Sequence, residues 1–246
     1  MKRRIVLGHA FGSTGLPMEQ LEKYIKWMKK LGYDFVSLDD LLNPKNTKKK
    51  CLSLVVDDAY KSVVEKLMPL LDQYEIRSTL FVPTGLIGLT KENPLLVQNG
   101  CYPNEDMMTI DDLENWMAAG HEVAFHTDKH INLSTLTKED IEIDFENGIS
   151  KLTEWGIKVD KFAYPFGFLP ADKATFEILL RKHDINYAFT LWPGDATEKN
   201  IDKKHASIYI NRICLGDKSP LWWNVMKSIG LLDFYLRKKS TIHQKP

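Results

Sequence analysis

The chain has 246 residues, 43% hydrophobic and 27% charged, a globular composition that suits one large α/β domain. Its 33 Lys and Arg balance its 33 Asp and Glu, so no global field directs it to nucleic acid or to an anionic membrane. No stretch approaches the roughly 20 consecutive apolar residues of a membrane helix. The basic start is followed by only Ile5, Val6 and Leu7 before Gly8. That is short of the about 7–15 apolar residues of a secretory signal, so a cytoplasmic setting is expected. Cys51, Cys101 and Cys214 lack CxxC spacing and point to reduced thiols, not to a disulfide framework or a cysteine metal site.

Strand and helix signals then alternate along the chain. Residues 4–8 are β-prone and end at His9. Pro17 opens a helix in which Leu21, Tyr24, Ile25 and Met28 recur at helical spacing, and Gly32 stops it. Residues 34–38 are strand-like, 43–50 form a basic connector, 51–56 a strand and 61–74 a helix. Residues 77–82 form a strand stopped by Pro83. Residues 84–108 carry Gly85, Gly88, Pro94, Gly100 and Pro103 and read as a long irregular insert.

Thr109, with Asp112 three residues on, opens a helix that ends before Gly120. A strand at 121–125 precedes an amphipathic helix at 137–155, with Ile141, Phe145, Ile149 and Leu152 on one face. Strands at 159–163, 187–191 and 207–212, a helix at 171–183 and an aromatic-rich helix at 221–237 complete the pattern. Residues 1–246 are therefore expected to form one domain. Its core would be about seven parallel strands closed as a distorted (β/α) barrel, with an open doubly wound sheet as the alternative. Either form gathers functional residues at the C-terminal ends of its strands.

Three segments fall at such ends. In VVDDAY an apolar strand runs straight into Asp57 and Asp58. Buried carboxylates need a partner, hydrogen bonds or a metal, and the alternative is a solvated turn. His126 ends the 121–125 strand and His130 follows four residues later. Two imidazoles and one carboxylate leave an open coordination position, the pattern of a catalytic metal site, and the second acid can then serve as general base. In FAYPFG a backbone N–H held beside Pro165 is a candidate oxyanion donor, a packed turn being the alternative.

VVDDAY, HTDKH and AYPFG, in this order, resemble the motifs of the polysaccharide deacetylase family (NodB homology, carbohydrate esterase family 4). There an apolar strand ends in TFDDG, followed by H(S/T)xxH and RxPYG. The start IVLGHAF with GYDFVSLDDLL is similar to the circularly rearranged branch that contains the poly-N-acetylglucosamine deacetylases. The resemblance covers roughly residues 4–212 and implies a NodB-like barrel that hydrolyses an N-acyl group on a sugar or glycan precursor, in surface polysaccharide synthesis. It implies Asp57 as general base, Asp58, His126 and His130 as metal ligands, the Phe166 N–H as oxyanion donor and His9 as general acid. The metal would be zinc, with cobalt, nickel or manganese as substitutes.

The pattern also departs from the family. Ala59 stands where the family has glycine, Ala163 where it has the RxPYG arginine, and WPGD at 192–195 only loosely matches DxxDW. Arg212 is the candidate to replace the missing arginine, a structural salt bridge being its other reading. Tyr60, Tyr164 and Trp192 are candidate sugar-stacking residues, while His183, His205 and His243 lie in less suitable contexts. The expected partner is an acylated sugar, not nucleic acid or an integral membrane. Two rival functions are a catalytically silent carbohydrate-binding barrel and an amidohydrolase of a non-sugar amide.

Overall fold

The computed structural model describes residues 2–196 and 207–243. Its strands are β1 (Lys2–Gly8), β2 (Asp34–Phe35), β3 (Lys50–Asp57), β4 (Thr79–Val82), β5 (Glu122–Phe125), β6 (Lys161–Ala163), β7 (Tyr187–Phe189), β8 (Ser207–Ile210) and β9 (Ile213–Cys214). The helices are α1 (Met18–Lys30), α2 (Leu38–Leu42), α3 (Met68–Gln73), α4 (Pro94–Gln98), α5 (Ile110–Ala118), α6 (Lys138–Glu154), α7 (Lys173–Lys182), α8 (Leu221–Ser228) and α9 (Asp233–His243). All strand pairs are parallel, in the order β8-β7-β6-β5-β4-β3-β1-β9, with β2 beside the start of β3.

The expected barrel is present as a curled parallel sheet wrapped by helices. Its edges are β8 and β9, yet only Asn211 and Arg212 separate them in sequence. Three Cα steps of 3.8 Å span at most about 11 Å, so the two edges meet across a narrow seam. Arg212 sits in that seam.

The long strands β1 and β3 are buried on both faces after their first residue, which is why β3 is apolar without alternation. One face packs on the helices through Val6, Leu54, Val56, Leu80, Val123, Phe125 and Phe162. The other lines the barrel interior through Ile5, Leu7, Val55, Phe81, Ala124, Ala163 and Phe189. Side chains alternate with period two along a strand. Continuing that alternation past Leu7, Val55 and Ala124 brings His9, Asp57 and His126 to the same interior face at the C-terminal rim. The opposite end is plugged by buried Lys161, whose ammonium pairs with Glu122, Asp39 and Asp160.

Several elements differ from the expected ones. The 34–38 strand stops at Phe35, because the Ser37 hydroxyl accepts the Asp40 N–H and caps α2. The 61–74 helix is wound as a π-helix over Val63–Leu67 before α3, where Pro69 brings no N–H. The 207–212 strand stops at Ile210 as β8, and an unexpected short strand, β9, follows it; the two pair with opposite edges of the sheet. The 221–237 helix divides into α8 and α9 around Gly230, whose φ of +85° breaks the helix. The insert holds α4 and short turns. Among the described residues no helix is long and apolar enough to cross a membrane.

His121, at the N-terminal end of β5, lies away from the rim. Its ring stacks on Trp116 at 4.1 Å between centroids, and its Nδ1 accepts the Ser78 N–H at 3.2 Å. Burial, helped by the Arg77 charge, lowers its pKa from 6.5 to about 4. The folded state therefore holds a neutral ring while the unfolded chain takes up a proton below pH 6.5. Stability from this group is intact above pH 6.5 and declines as pH falls toward 4. Urea midpoints measured across that range should drop, and His121→Gln should make the drop smaller. An equal drop in the variant would count against this assignment.

Candidate active site

At the end of β3 the chain turns through two consecutive left-handed residues, Asp58 (φ 75°) and Ala59 (φ 59°). The turn is pinned by the Asp58 N–H donating to Phe81 O at 3.1 Å and the Met108 N–H donating to Ala59 O at 2.9 Å. The left-handed turn that a glycine would adopt freely is thus kept with alanine in it, at a backbone cost of about 1–2 kcal/mol. Ala59→Gly should remove that strain and lose a fully buried methyl worth ~0.8 kcal/mol. Its urea midpoint should therefore stay near the parent's. Ala59→Val, β-branched at positive φ, should lower it strongly.

Asp57 and Asp58 have different surroundings. The Asp57 carboxylate is gripped by the Arg212 fork, Nη1 to Oδ1 at 2.6 Å and Nη2 to Oδ2 at 3.0 Å. Arg212 is 0% exposed, donates through Nε to Thr190 O at 3.2 Å, and lies 5.0 Å from the Phe81 ring centroid. The cation absent at Ala163 thus reaches Asp57 from the seam between β8 and β9.

Asp58 faces two imidazoles instead. His126 Nδ1 is 2.7 Å from Ala163 O and His130 Nδ1 is 2.9 Å from Asn99 O. Each carbonyl accepts the Nδ1 proton and leaves Nε2 as a lone pair aimed inward. Those Nε2 atoms lie 3.5 and 3.2 Å from Asp58 Oδ1, and His126 Nε2 is 3.9 Å from Asp57 Oδ2. Asp58 Oδ1 is buried without a hydrogen-bond partner. The donor atoms of Asp58, His126 and His130 lie within 4.8 Å of one another, all three residues buried. Converging lone pairs in a dry site repel unless a cation stands between them, so the donor set fits a divalent metal.

A proton offers the other relief. Burial opposes charge on His130, but the Asp58 charge and hydrogen bonds raise its pKa well above the imidazole range. Burial likewise opposes charge on Asp58, yet His130, His126 and His9 hold its carboxyl well below the usual range.

His9 follows β1, half-buried, with its ring 6.1 Å from that of Tyr102. Burial lowers its pKa, but a hydrogen bond and charge from Cys214, with the Asp58 and Asp57 charges, raise it to about 9. Phe166 holds φ 57° in the turn after β6, and its ring, 42% exposed, lies 4.6 Å from that of His130. The backbone beside Pro165 is therefore at the rim with the acids and imidazoles.

Two sugar-stacking expectations are corrected. Tyr60 is fully buried, with its hydroxyl accepting the Tyr102 N–H at 2.7 Å. Tyr164 is buried against Phe162 and Phe176. Neither offers a ring face to a ligand. Trp192 is half-buried and stacks on Tyr209 at 6.0 Å between centroids. Tyr102, beside His9, and Phe166, beside His130, are two aromatics at the rim. Tyr102 escaped sequence reasoning because an irregular insert has no period from which to read direction. Asp195 of WPGD pairs with Arg4 at 3.0 Å, not with the site. His183 ends α7 beside Phe145, His243 ends α9, and His205 lies outside the described residues.

The polysaccharide deacetylase family model matches residues 44–188, more than half of the chain. The chain belongs to the polysaccharide deacetylase family. As a polysaccharide deacetylase it is a hydrolase of N-acetyl amide bonds. It is 29% identical over 211 residues to a poly-β-1,6-N-acetyl-D-glucosamine N-deacetylase of Staphylococcus aureus, covering 80% of this chain and 67% of that protein. Solved structures share the fold. The Streptococcus pyogenes deacetylase PplD in complex with acetate superposes with a TM-score of 0.72 at 19% identity, over 93% of this chain and 98% of that one. IcaB from Ammonifex degensii gives 0.69 at 19% identity, over 92% and 95%.

Proposed function

We propose that this polysaccharide deacetylase removes the N-acetyl group from an N-acetylglucosamine-containing glycan or its precursor during surface polysaccharide synthesis. The observation that carries the reading is the convergence of Asp58, His126 and His130 beside an Asp57 gripped by Arg212. Asp58 Oδ1 and the two Nε2 atoms would hold the metal, zinc being the best match to two imidazoles and one carboxylate, with cobalt, nickel or manganese as substitutes. When bound, such a cation supplies Lewis acidity toward the acetyl carbonyl and toward water.

The protein's own groups divide the proton work. Asp57 is the general base that takes a proton from the attacking water, and Arg212 fixes its carboxylate in one orientation. The Phe166 N–H is the proposed donor to the developing oxyanion. His9, charged at neutral pH by its raised pKa, delivers a proton to the departing amine nitrogen. Water adds to the acyl carbon, the C–N bond breaks, and acetate and a free amine leave. Tyr102 and Phe166 flank the opening and suit the faces of a pyranose ring.

Zinc-loaded protein should release acetate from β-1,6-linked N-acetylglucosamine oligomers, and chelation should stop it. In a cytoplasmic setting the natural substrate would be a lipid- or nucleotide-linked precursor, so polymer and precursor belong in one assay. Metal binding without acetate release from either would favour the non-sugar amide. Absence of metal binding would favour the silent barrel.

A further inference from the structure

We propose that Asp144, on α6, is a positioning residue that holds the HTDKH loop in its ligating shape. This rests on the reading of Asp58, His126 and His130 as a metal site. The loop needs an outside constraint, because Thr127 (φ 66°) and His130 (φ 54°) both occupy the left-handed region without being glycine. The loop's internal support is one hydrogen bond, from the His130 N–H to Thr127 Oγ1 at 2.9 Å. The buried Asp144 carboxylate accepts two main-chain donors between the imidazoles: the Asp128 N–H at 2.8 Å and the Lys129 N–H at 3.1 Å.

A second observation shows that the helix is placed for this contact. Gly148, one turn after Asp144 on the same face of α6, sits where a Cβ would come within 2.5 Å of the Phe125 ring and 3.1 Å of Thr84 Oγ1. A side chain there would push α6 away from the end of β5 and withdraw Asp144 from the loop. The opposite wall completes the cradle. The Thr84 N–H donates to Thr127 O at 3.2 Å and the Gly85 N–H to Asp128 O at 2.7 Å. Asp128 Oδ1 accepts from Thr84 Oγ1 at 2.8 Å and Lys151 Nζ at 2.7 Å. The loop is thus gripped from α6 and from the base of the insert, with both imidazoles left free to face Asp58.

Co²⁺ titration tests this by direct affinity and by visible absorption, which reports coordination geometry without turnover. Removing outer groups that orient metal ligands typically weakens metal binding about 10–100-fold. Asp144→Asn should do so and alter the Co²⁺ spectrum, while substrate KM stays near the parent value. Asp144→Glu should recover part of the affinity. Gly148→Ala, which leaves every polar group in place, should weaken Co²⁺ binding in the same direction, and Glu146→Gln, an exposed ion-pair change on the same helix, should not. A lowered melting temperature with unchanged Co²⁺ affinity and spectrum in Asp144→Asn and Gly148→Ala would overturn the positioning role. Failure of the parent protein to bind Co²⁺ at all would overturn the metal reading beneath it.

Discussion

Asp57→Asn should abolish most acetate release, by about a hundred- to ten-thousand-fold, while the protein still binds stoichiometric metal. The neighbouring change, Asp58→Asn, should lose the metal itself. The contrast follows from the two environments. Asp57 gives both oxygens to Arg212, whereas Asp58 gives Oδ1 to the two Nε2 atoms and has no hydrogen-bond donor there. Metal analysis and acetate release, measured on both variants, separate a base from a ligand. If Asp57→Asn lost metal, or Asp58→Asn kept both metal and rate, the division of labour would be wrong.

Arg212→Met should cost stability as well as activity. The bridge is fully buried, and removing one partner of such a pair typically costs about 3–5 kcal/mol, because the remaining charge has neither water nor a counter-ion. The double change Arg212→Met with Asp57→Leu should recover much of the lost stability and none of the rate. That outcome would show that Arg212 is retained for its effect on the base. If Arg212→Met unfolded normally but turned over slowly, the ion pair would be catalytic with little structural weight. Unchanged turnover would remove it from the site.

The site was largely legible because its residues end strands, and strands advertise themselves by apolar runs. Asp57 and His126 follow such runs directly, and period-two alternation assigns both to the barrel interior. Arg212 was harder, since nothing local distinguishes a catalytic arginine from a structural one. Only the pairing of β8 and β9 with opposite edges brings it beside Asp57. Tyr60 and Tyr164 misled because proximity to a motif says nothing about which way a ring points. Tyr60 turns back under the insert and Tyr164 into the helix-facing core. The α2 turn was missed for a simpler reason: five residues are too few to establish a helical period, and only the Ser37 cap marks it.

The seam has a consequence for the order in which the molecule becomes competent. β1 begins at Lys2 but pairs on one side with β9, near residue 213, so the sheet cannot close until the chain is available through residue 214. Contacts of such sequence separation form late and slow the search for the native state. Arg212 arrives with them. On a ribosome, Asp57 would be synthesised long before its counter-charge, and a chain halted short of residue 212 would retain both carboxylates and both imidazoles without the cation that grips Asp57. Completion of the barrel and the pairing of Asp57 with Arg212 are therefore one event.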